Sequence, residues 1–376
     1  MKLLLLAHSL TPGGAQRNIV DMARELCARN VEIHVGIFHG GGRLECELES
    51  VKEVQLHHLD RKGRWDILGF SWKLRSFLAH HRFDVVYSFL PVPDVLAIVG
   101  KTLKRRPKII WGILASELDY SEHPWRTYLS GKVERMLCPL ADHLICNSQA
   151  AIALWSARGV PNTKLSLVTN GVDTKRFSPD SEAYNAVRRE LRLPEATVLI
   201  GIVGRIDPWK DHRTFLSGAR DLRRLTPDVH FLCIGAVDPG MEAYAEELKR
   251  YTAQLDLTSA VHWLGDRSDM PRLMAALDIL ASSSSTEGTS TALLEGMACG
   301  IPCVVTDVGD SARIVGTTGS VVPPANPVAL ANAWSKTLAL PWGDRQALGV
   351  RARSRANELF SIDHMAEETL HVLRTA

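Results

Sequence analysis

The sequence predicts an α/β protein made of two doubly wound domains, each with a parallel sheet. The chain has 376 residues, a length that favours two domains. Short apolar runs of strand length alternate with segments whose apolar residues recur at helical spacing. Near the middle, Thr169–Pro179 (TNGVDTKRFSP) combines an Asn-Gly turn with a Ser-Pro break, which is typical of a linker. We therefore expect domains at residues 1–170 and 180–360, followed by a helix at 361–376.

Composition and charge narrow the class of protein. With 45% hydrophobic and 23% charged residues, the chain has an ordinary soluble composition. Met1 to Lys175 holds 23 Lys+Arg against 17 Asp+Glu, whereas the remainder holds 21 against 25. A basic first half suggests an anionic partner but is not evidence of nucleic-acid binding, and no nucleic-acid partner is expected.

Cysteine usage and hydropathy indicate the cellular compartment in which the protein works. Seven cysteines without a C-x-x-C pair argue against a disulfide framework or a structural zinc site, so buried free thiols are expected. The opening apolar run is too short for a signal peptide, and no stretch approaches the ~20 apolar residues of a membrane span. We expect a cytoplasmic protein, with contact at the inner face of the cell membrane left open.

The first domain opens with a strand at Lys2–Ala7, a glycine turn at Leu10–Ala15 and an amphipathic helix. Gly13 and Gly14 allow backbone N–H groups to approach a bulky anion, although a simple strand-to-helix turn has the same pattern. A helix carries Ile67, Leu68, Trp72, Leu74 and Leu78. Further strands are expected near 33–37, 54–59, 84–89, 108–112 and 143–146.

The densest basic run, Lys101–Lys108 (KTLKRRPK), has two interpretations. It can bind an anionic membrane surface, at about 1 kcal/mol per residue close to the surface. It can equally be a solvated helix end. The first interpretation would make the protein a peripheral membrane protein.

The second domain begins with a strand at Val198–Val203, which is followed by Gly204, Arg205 and Lys210. A guanidinium and an ammonium in the loop after a strand suit a diphosphate. The Arg can form two parallel hydrogen bonds to phosphate oxygens, and the Lys acts as a point charge. A plainer interpretation is that Arg205 and Lys210 are exposed loop cations without a ligand. A strand at 230–235, a helix at 241–255 and a strand at 261–265 follow, and Asp269 with Pro271 begins a further helix.

A strand, a loop, a helix and a strand then form one βαβ unit between Leu277 and Val308. If the helix begins near Thr289, its first N–H groups face the crevice where open α/β sheets bind ligands. Glu287 and Glu295 accept hydrogen bonds only, which suits ribose and sugar hydroxyls beside a phosphate. The unit therefore indicates a nucleotide-sugar site that includes Gly288, Thr289, Ser290 and Thr291.

The string from Glu287 to Thr306, E-G-x6-E-G-M-A-x-G-x-P-x-V-x-T, resembles the signature of the retaining family 4 glycosyltransferases. The resemblance implies the GT-B fold, in which two Rossmann-like domains face a cleft. It implies that Glu287 contacts the donor sugar and Glu295 the ribose. It also implies a sugar donor carried on UDP or GDP, and a glycan or lipid-linked acceptor of cell-surface polysaccharide biosynthesis.

Other motifs extend the resemblance over most of the chain. They imply that Gly13 and Gly14 line the cleft and that the backbone near Leu264 lies against the nucleobase. They also imply that Gly204 lies at the donor site and that the basic pair after it, Arg205 and Lys210, neutralises the departing diphosphate. The closing helix is implied to pack on the first domain. Two positions depart from the family pattern. Ser116 or Glu117 stands where many members have a cleft histidine, and Arg313 replaces a glutamate, either to bind an acceptor phosphate or to pair with a neighbouring acid.

The sequence contains no Asp-x-Asp and no pair of histidines at convincing metal-ligand spacing, so no metal or other cofactor is expected. The resemblance implies front-face displacement with retention at the anomeric carbon. Arg205, Lys210 and Glu287 are the candidate catalytic residues. Two other functions stay open: a nucleotide-sugar epimerase of the same architecture, and a non-catalytic nucleotide-sugar-binding protein.

Overall fold

A computed structural model describes residues 1–11, 13–63, 66, 68–101, 107–114 and 132–376. They divide into two compact units, the first formed by Met1–Gly171 with Ile362–Ala376 and the second by Val172–Ser361. Among the described residues, no helix is both long enough and apolar enough to cross a bilayer. The basic run Lys101–Lys108 lies mostly outside them, because residues 102–106 are not described.

The first unit contains a seven-stranded parallel sheet in the order β3-β2-β1-β4-β5-β6-β7. Its strands are β1 Lys2–Ala7, β2 Glu32–Ile37, β3 Val54–His58, β4 Val85–Phe89, β5 Lys108–Ile113, β6 His143–Cys146 and β7 Leu165–Leu167. The run of four leucines in β1 is fully buried, as expected for a central strand covered on both faces. Leu3 and Leu5 join one core cluster and Leu4 and Leu6 another, which is the arrangement of a doubly wound sheet.

Helices cover both faces of this sheet. They are α1 Gly14–Ala28, α2 Glu45–Glu49, α3 Leu68–His81, α4 Pro91–Gly100, α5 at 132–137 and α6 Gln149–Ala157. The helix predicted to carry Trp72 exists, but Leu68 and Trp72 point to solvent with exposures of 87% and 75%.

The second unit contains a six-stranded parallel sheet in the order β10-β9-β8-β11-β12-β13. Its strands are β8 Val198–Val203, β9 Val229–Ile234, β10 Val261–Gly265, β11 Ile279–Ser282, β12 Cys303–Thr306 and β13 Gly319–Val322. Its helices are α7 Ser181–Glu190, α8 His212–Arg223, α9 Glu242–Gln254, α10 Met270–Ala275, α11 Thr291–Ala298, α12 Ser311–Val315, α13 Pro327–Leu338 and α14 Trp342–Leu359. The strand order reverses between β8 and β11, so the loops that leave these strands meet at the switch point where such sheets bind ligands.

The last helix, α15 (Ile362–Thr375), belongs to the first unit, as the sequence predicted. Met365, Ala366 and Leu370 enter the same core cluster as α1. The amide of Gly171 donates to Met365 Sδ at 3.1 Å, and Arg29, which follows α1, pairs with Asp363. The chain therefore returns to its first sheet after completing the second.

The seven cysteines are free thiols, as expected. Five are buried, whereas Cys46 is exposed and Cys27 is partly buried. The expectation of burial is therefore wrong for Cys46.

Candidate active site

The loop after β8 holds Lys210 in place. Gly204 has φ +157°, and a Cβ on it would lie 2.9 Å from Lys210 Cε, so the lysine side chain crosses a position that only glycine leaves open. Asp207 caps the short turn at 208–210 by accepting from the Trp209 amide at 2.8 Å. Asp211 then caps α8 by accepting from the Thr214 amide at 3.0 Å.

The loop after β11 is hydrogen-bonded to the loop after β8. Ser283 Oγ lies 2.9 Å from the carbonyl oxygens of both Lys210 and Asp211. The Ser285 amide donates to the Trp209 carbonyl at 2.8 Å. The small polar residues that ended the predicted strand therefore join the two loops of the switch point.

Lys210 and Glu287 form an ion pair at this junction. Lys210 Nζ donates to Glu287 Oε1, and Ser284 Oγ donates to the same oxygen at 2.8 Å. Their side chains are only 24% and 11% exposed, so solvent screens the pair less than it screens a surface ion pair. An ammonium has three N–H donors, and the Glu287 carboxylate accepts a hydrogen bond from one of them.

Arg205 has a different partner. Its Nη1 donates at 2.5 Å to Oδ2 of Asp238, which follows β9. The Arg205 side chain is 52% exposed, and such exposed pairs contribute about 0–1 kcal/mol, so an incoming anion can replace the carboxylate at little cost. The sequence hypothesis treated Arg205 and Lys210 as one clamp, whereas the structure pairs each with its own acid.

The amino end of α11 lies at the same edge of the sheet. The helix begins at Thr291, because Ser290 is extended and caps it by accepting from the Leu293 amide at 3.4 Å. The backbone before the helix is held by the loop after β12: the Asp310 amide donates to the Gly288 carbonyl at 3.2 Å. A Cβ on Gly309 would lie 2.0 Å from the Glu287 carbonyl oxygen, so this approach requires glycine.

The other predicted donor-site residues lie on several elements. Thr289 is buried before α11, and Glu295 is half-buried within that helix. Leu264 lies in β10 and packs on the core, while its neighbour Gly265 accepts from the Gly235 amide at 2.9 Å. Lys210 contacts Glu287 and packs beside Gly204.

The predicted residues of the first unit form a separate group. Gly13 has extended backbone, Gly14 opens α1, and the Arg17 amide donates to the Gly13 carbonyl at 2.9 Å. Ser116 and Glu117, the acceptor-side candidates, lie outside the described residues.

Sequence reasoning missed three of the site's polar contacts. Asp238 has no sequence signal because it pairs with Arg205 across 33 residues. Ser283 and Ser284 belong to a run of four serines in the predicted loop of the βαβ unit, and a run of hydroxyls is the one sequence signal for a loop rich in hydrogen-bond donors. For Arg313, the structure shows pairing with a neighbouring acid: its Nε donates to Asp310 Oδ2 at 2.7 Å.

Comparisons with known proteins identify the family. A model described as "Glycosyl transferases group 1" matches residues 197–339, and one described as "Glycosyltransferase Family 4" matches residues 12–176. A D-inositol 3-phosphate glycosyltransferase of Salinispora tropica is 31% identical over 96% of this chain and 80% of its own length. The chain belongs to the family 4 (group 1) glycosyltransferases.

Two further relatives of this glycosyltransferase extend the comparison. A UDP-Gal:alpha-D-GlcNAc-diphosphoundecaprenol alpha-1,3-galactosyltransferase of Escherichia coli is 24% identical over 64% of this chain and 62% of its own length. The crystal structure of Anabaena Alr3699/HepE in complex with UDP-glucose superposes over the whole of both chains with a TM-score of 0.87 and 23% identity. This likeness shows that the glycosyltransferase has the GT-B fold.

Proposed function

We propose that this glycosyltransferase moves a sugar from a nucleoside diphosphate sugar to a hydroxyl of a glycan or lipid-linked acceptor, with retention at the anomeric carbon and without a metal ion. The observation that carries the proposal is the Lys210–Glu287 pair, held by two hydrogen-bonded loops at the switch point of the second sheet. The pair places the Lys210 ammonium, which suits the diphosphate, beside the Glu287 carboxylate, which accepts hydrogen bonds from sugar hydroxyls. A nucleotide sugar carries both groups next to each other.

In the proposed reaction, the bond between the anomeric carbon and the diphosphate oxygen breaks, and the acceptor oxygen bonds to the same face of that carbon. The departing phosphate takes the acceptor's proton. Negative charge then grows on the diphosphate, where the Lys210 ammonium, the Arg205 guanidinium and the first amides of α11 stabilise it. These groups are placed before the reaction, so little reorganisation is needed when the charge develops.

The two glutamates have separate roles in this proposal. Glu287 accepts hydrogen bonds from the donor-sugar hydroxyls while Lys210 and Ser284 hold its carboxylate. Glu295 accepts from the ribose hydroxyls. The names of relatives support both donor and acceptor classes: Alr3699/HepE was crystallised with UDP-glucose, and the Escherichia coli relative is named for a UDP-galactose donor and a diphosphoundecaprenol-linked acceptor.

The first test is a thermal-shift panel of UDP, GDP, ADP and their common sugars in excess EDTA. A ligand at 100 times its dissociation constant stabilises the folded state by about 2.7 kcal/mol, a shift of several degrees. We expect one nucleotide series to stabilise the protein. The selected donor is then incubated with lipid-linked and soluble glycans, and with D-inositol 3-phosphate because of the Salinispora relative's name.

Product NMR then separates the alternatives. A product with the donor's anomeric configuration supports the retaining transfer. Donor converted to another sugar without any acceptor would indicate an epimerase, and binding without turnover would indicate a non-catalytic protein. Activity that requires a divalent ion would overturn the metal-independent part of the proposal.

A further inference from the structure

Three histidines of the first unit converge from separate elements. His34 lies in β2, His57 in β3 and His81 at the end of α3. One ring nitrogen from each lies within 4.8 Å of the others, and among the described residues this is the only group of three or more His, Cys, Asp or Glu side chains that meets such a criterion. We call it the histidine triad.

The spacing is close to what a tetrahedral metal ion needs. Zinc binds imidazole nitrogen at about 2.0–2.1 Å, so two nitrogens on one ion lie roughly 3.4 Å apart. His34 Nδ1 and His57 Nε2 are already 2.8 Å apart. A movement of about 1.5 Å by one ring therefore brings the three nitrogens around a single ion.

The hydrogen bonds of His34 select the nitrogen that faces the triad. Its Nε2 lies 3.1 Å from Glu32 Oε1, and a carboxylate only accepts, so Nε2 carries the proton. Nδ1 then presents its lone pair to His57. A carboxylate that orients a histidine through its second nitrogen is the usual outer shell of a metal site. The same Glu32 oxygen also pairs with Lys2 Nζ at 3.0 Å.

Aromatic rings restrict the orientation of the triad. His81 stacks on Phe83 with ring centroids 5.5 Å apart, and Phe77 packs edge-on against His57 at 5.0 Å. Burial is the largest of the effects that lower the pKa of His34, His57 and His81. His34 is fully enclosed, whereas His57 and His81 are half-buried and leave a side open for a fourth ligand.

We propose that His34, His57 and His81 bind one divalent transition-metal ion, with Zn²⁺ as the reference ion and water as a fourth ligand. Imidazole is the ligand that zinc, copper and nickel share, and three of them with an open position suit these ions rather than Mg²⁺ or Ca²⁺. On binding, the ion replaces the His34–His57 hydrogen bond and the His57 proton moves to its other nitrogen.

The position of the triad indicates a structural role. His34 is the third of six residues in β2 and His57 the fourth of five in β3, so the triad lies within the edge strands and not in the loops that follow them. Ligands of open α/β sheets bind at the carboxyl ends. An ion at the triad would tie the end of α3 to the edge strands β3 and β2 and is separate from the proposed chemistry.

The second unit provides a comparison. His230 and His262 also pair across neighbouring strands, with ring nitrogens 2.9 Å apart and stacked rings, but no third ligand of the described chain completes that pair. A histidine pair alone is thus a packing arrangement that this chain uses elsewhere. The third ring, from α3, distinguishes the triad.

The test begins with the tag-free full-length protein, from which metal is removed by dialysis against EDTA and then against buffer, and it measures how much added zinc the protein binds. Calorimetry with ZnCl₂ and the visible spectrum of the Co²⁺ form are recorded for wild type, His57→Gln and His81→Gln. His80→Gln is the matched control, because His80 is exposed and adjacent to His81 but outside the triad. His262→Gln tests the pair in the second unit.

We expect one zinc per chain for wild type, His80→Gln and His262→Gln, with a tetrahedral Co²⁺ spectrum that lacks thiolate charge-transfer bands. His57→Gln and His81→Gln should each weaken zinc binding by about 100-fold or more, beyond the usual loss for an outer-shell partner. They should also abolish the rise in melting temperature that ZnCl₂ causes in wild type. Substoichiometric zinc in wild type, or equal affinity in the folded triad variants, would overturn the proposal.

Discussion

Lys210 Nζ donates to Glu287 Oε1 across the carboxyl edge of the second sheet, although the two residues are 77 positions apart in sequence. The contact exists because the strand order places β8 beside β11, so that the loops leaving these strands meet. Much of the chemistry proposed for this glycosyltransferase depends on that single juxtaposition, and the predictions begin there.

Replacing Lys210 by Ala should lower kcat/KM by about 100- to 1000-fold, because it removes a preplaced positive charge from the departing diphosphate. The melting temperature should fall by less than about 5 °C, since one partly exposed ion pair is lost. Lys249→Ala is the control, because Lys249 forms an exposed pair with Glu246 on α9. Initial rates and thermal melts decide the matter, and a large melting loss with modest kinetic loss would make Lys210 a structural residue.

Gly204→Ala should reduce activity without changing the chemistry of any side chain. Its Cβ would lie 2.9 Å from Lys210 Cε, so the lysine side chain must shift from the position in which its ammonium pairs with Glu287. Gly240→Ala isolates the backbone effect, because Gly240 also has positive φ (+92°) but nothing within 4 Å of its Cβ. We expect both variants to lose some stability and only Gly204→Ala to lose most of its kcat/KM. Equal activity in the two variants would show that the position of Lys210 is unimportant.

Glu295→Ala should weaken nucleotide binding by about tenfold, the loss expected when a hydroxyl loses a charged acceptor worth about 1.5 kcal/mol. Calorimetry with the nucleotide that the thermal-shift panel selects gives the dissociation constant. Glu246→Ala, on the exposed face of α9, should leave it unchanged. Unaltered affinity in Glu295→Ala would remove this residue from the ribose site.

Arg188 and Asp278 should dominate the stability of the second unit. Arg188 is fully buried; its Nη2 donates to Asp278 Oδ2 at 2.7 Å, and its other N–H groups reach backbone carbonyls. Arg188→Met leaves Asp278 buried without its cation and should cost about 3–5 kcal/mol in urea unfolding. Arg189→Met, at the next and exposed position, should cost less than about 0.5 kcal/mol. Similar losses in the two variants would contradict the assignment.

Glu134 should make the first unit less stable at alkaline pH. Burial raises its pKa to about 7, and Asp94, which is fully buried nearby, also has a raised pKa because of burial and repulsion from Glu134. A carboxyl whose pKa is higher in the folded state stabilises the fold at acidic pH, and this contribution is lost as the pH rises through the folded pKa. Glu134→Gln should therefore raise the melting temperature at pH 8 and change it little at pH 4.5. A gain that is equal at both pH values would refute this explanation.

Local patterns in the sequence determined the fold class, most strands and the family motif. The Leu3–Leu6 run, the glycine at 300 and the proline at 302 act through burial and backbone geometry of neighbouring residues, so they can be recognised without a partner. The interval from Glu287 to Thr306 carried enough of these constraints to indicate the family.

Only the tertiary structure decided which charged and metal-ligating groups meet. Nothing near Arg205 predicts Asp238, and nothing in the spacing of His34, His57 and His81 predicts that the three rings meet. These contacts depend on strand order and on the end point of a helix, which arise from burying whole elements against one another. Periodicity along the chain reports which face of an element is buried, whereas the partner across the sheet depends on how the elements are arranged.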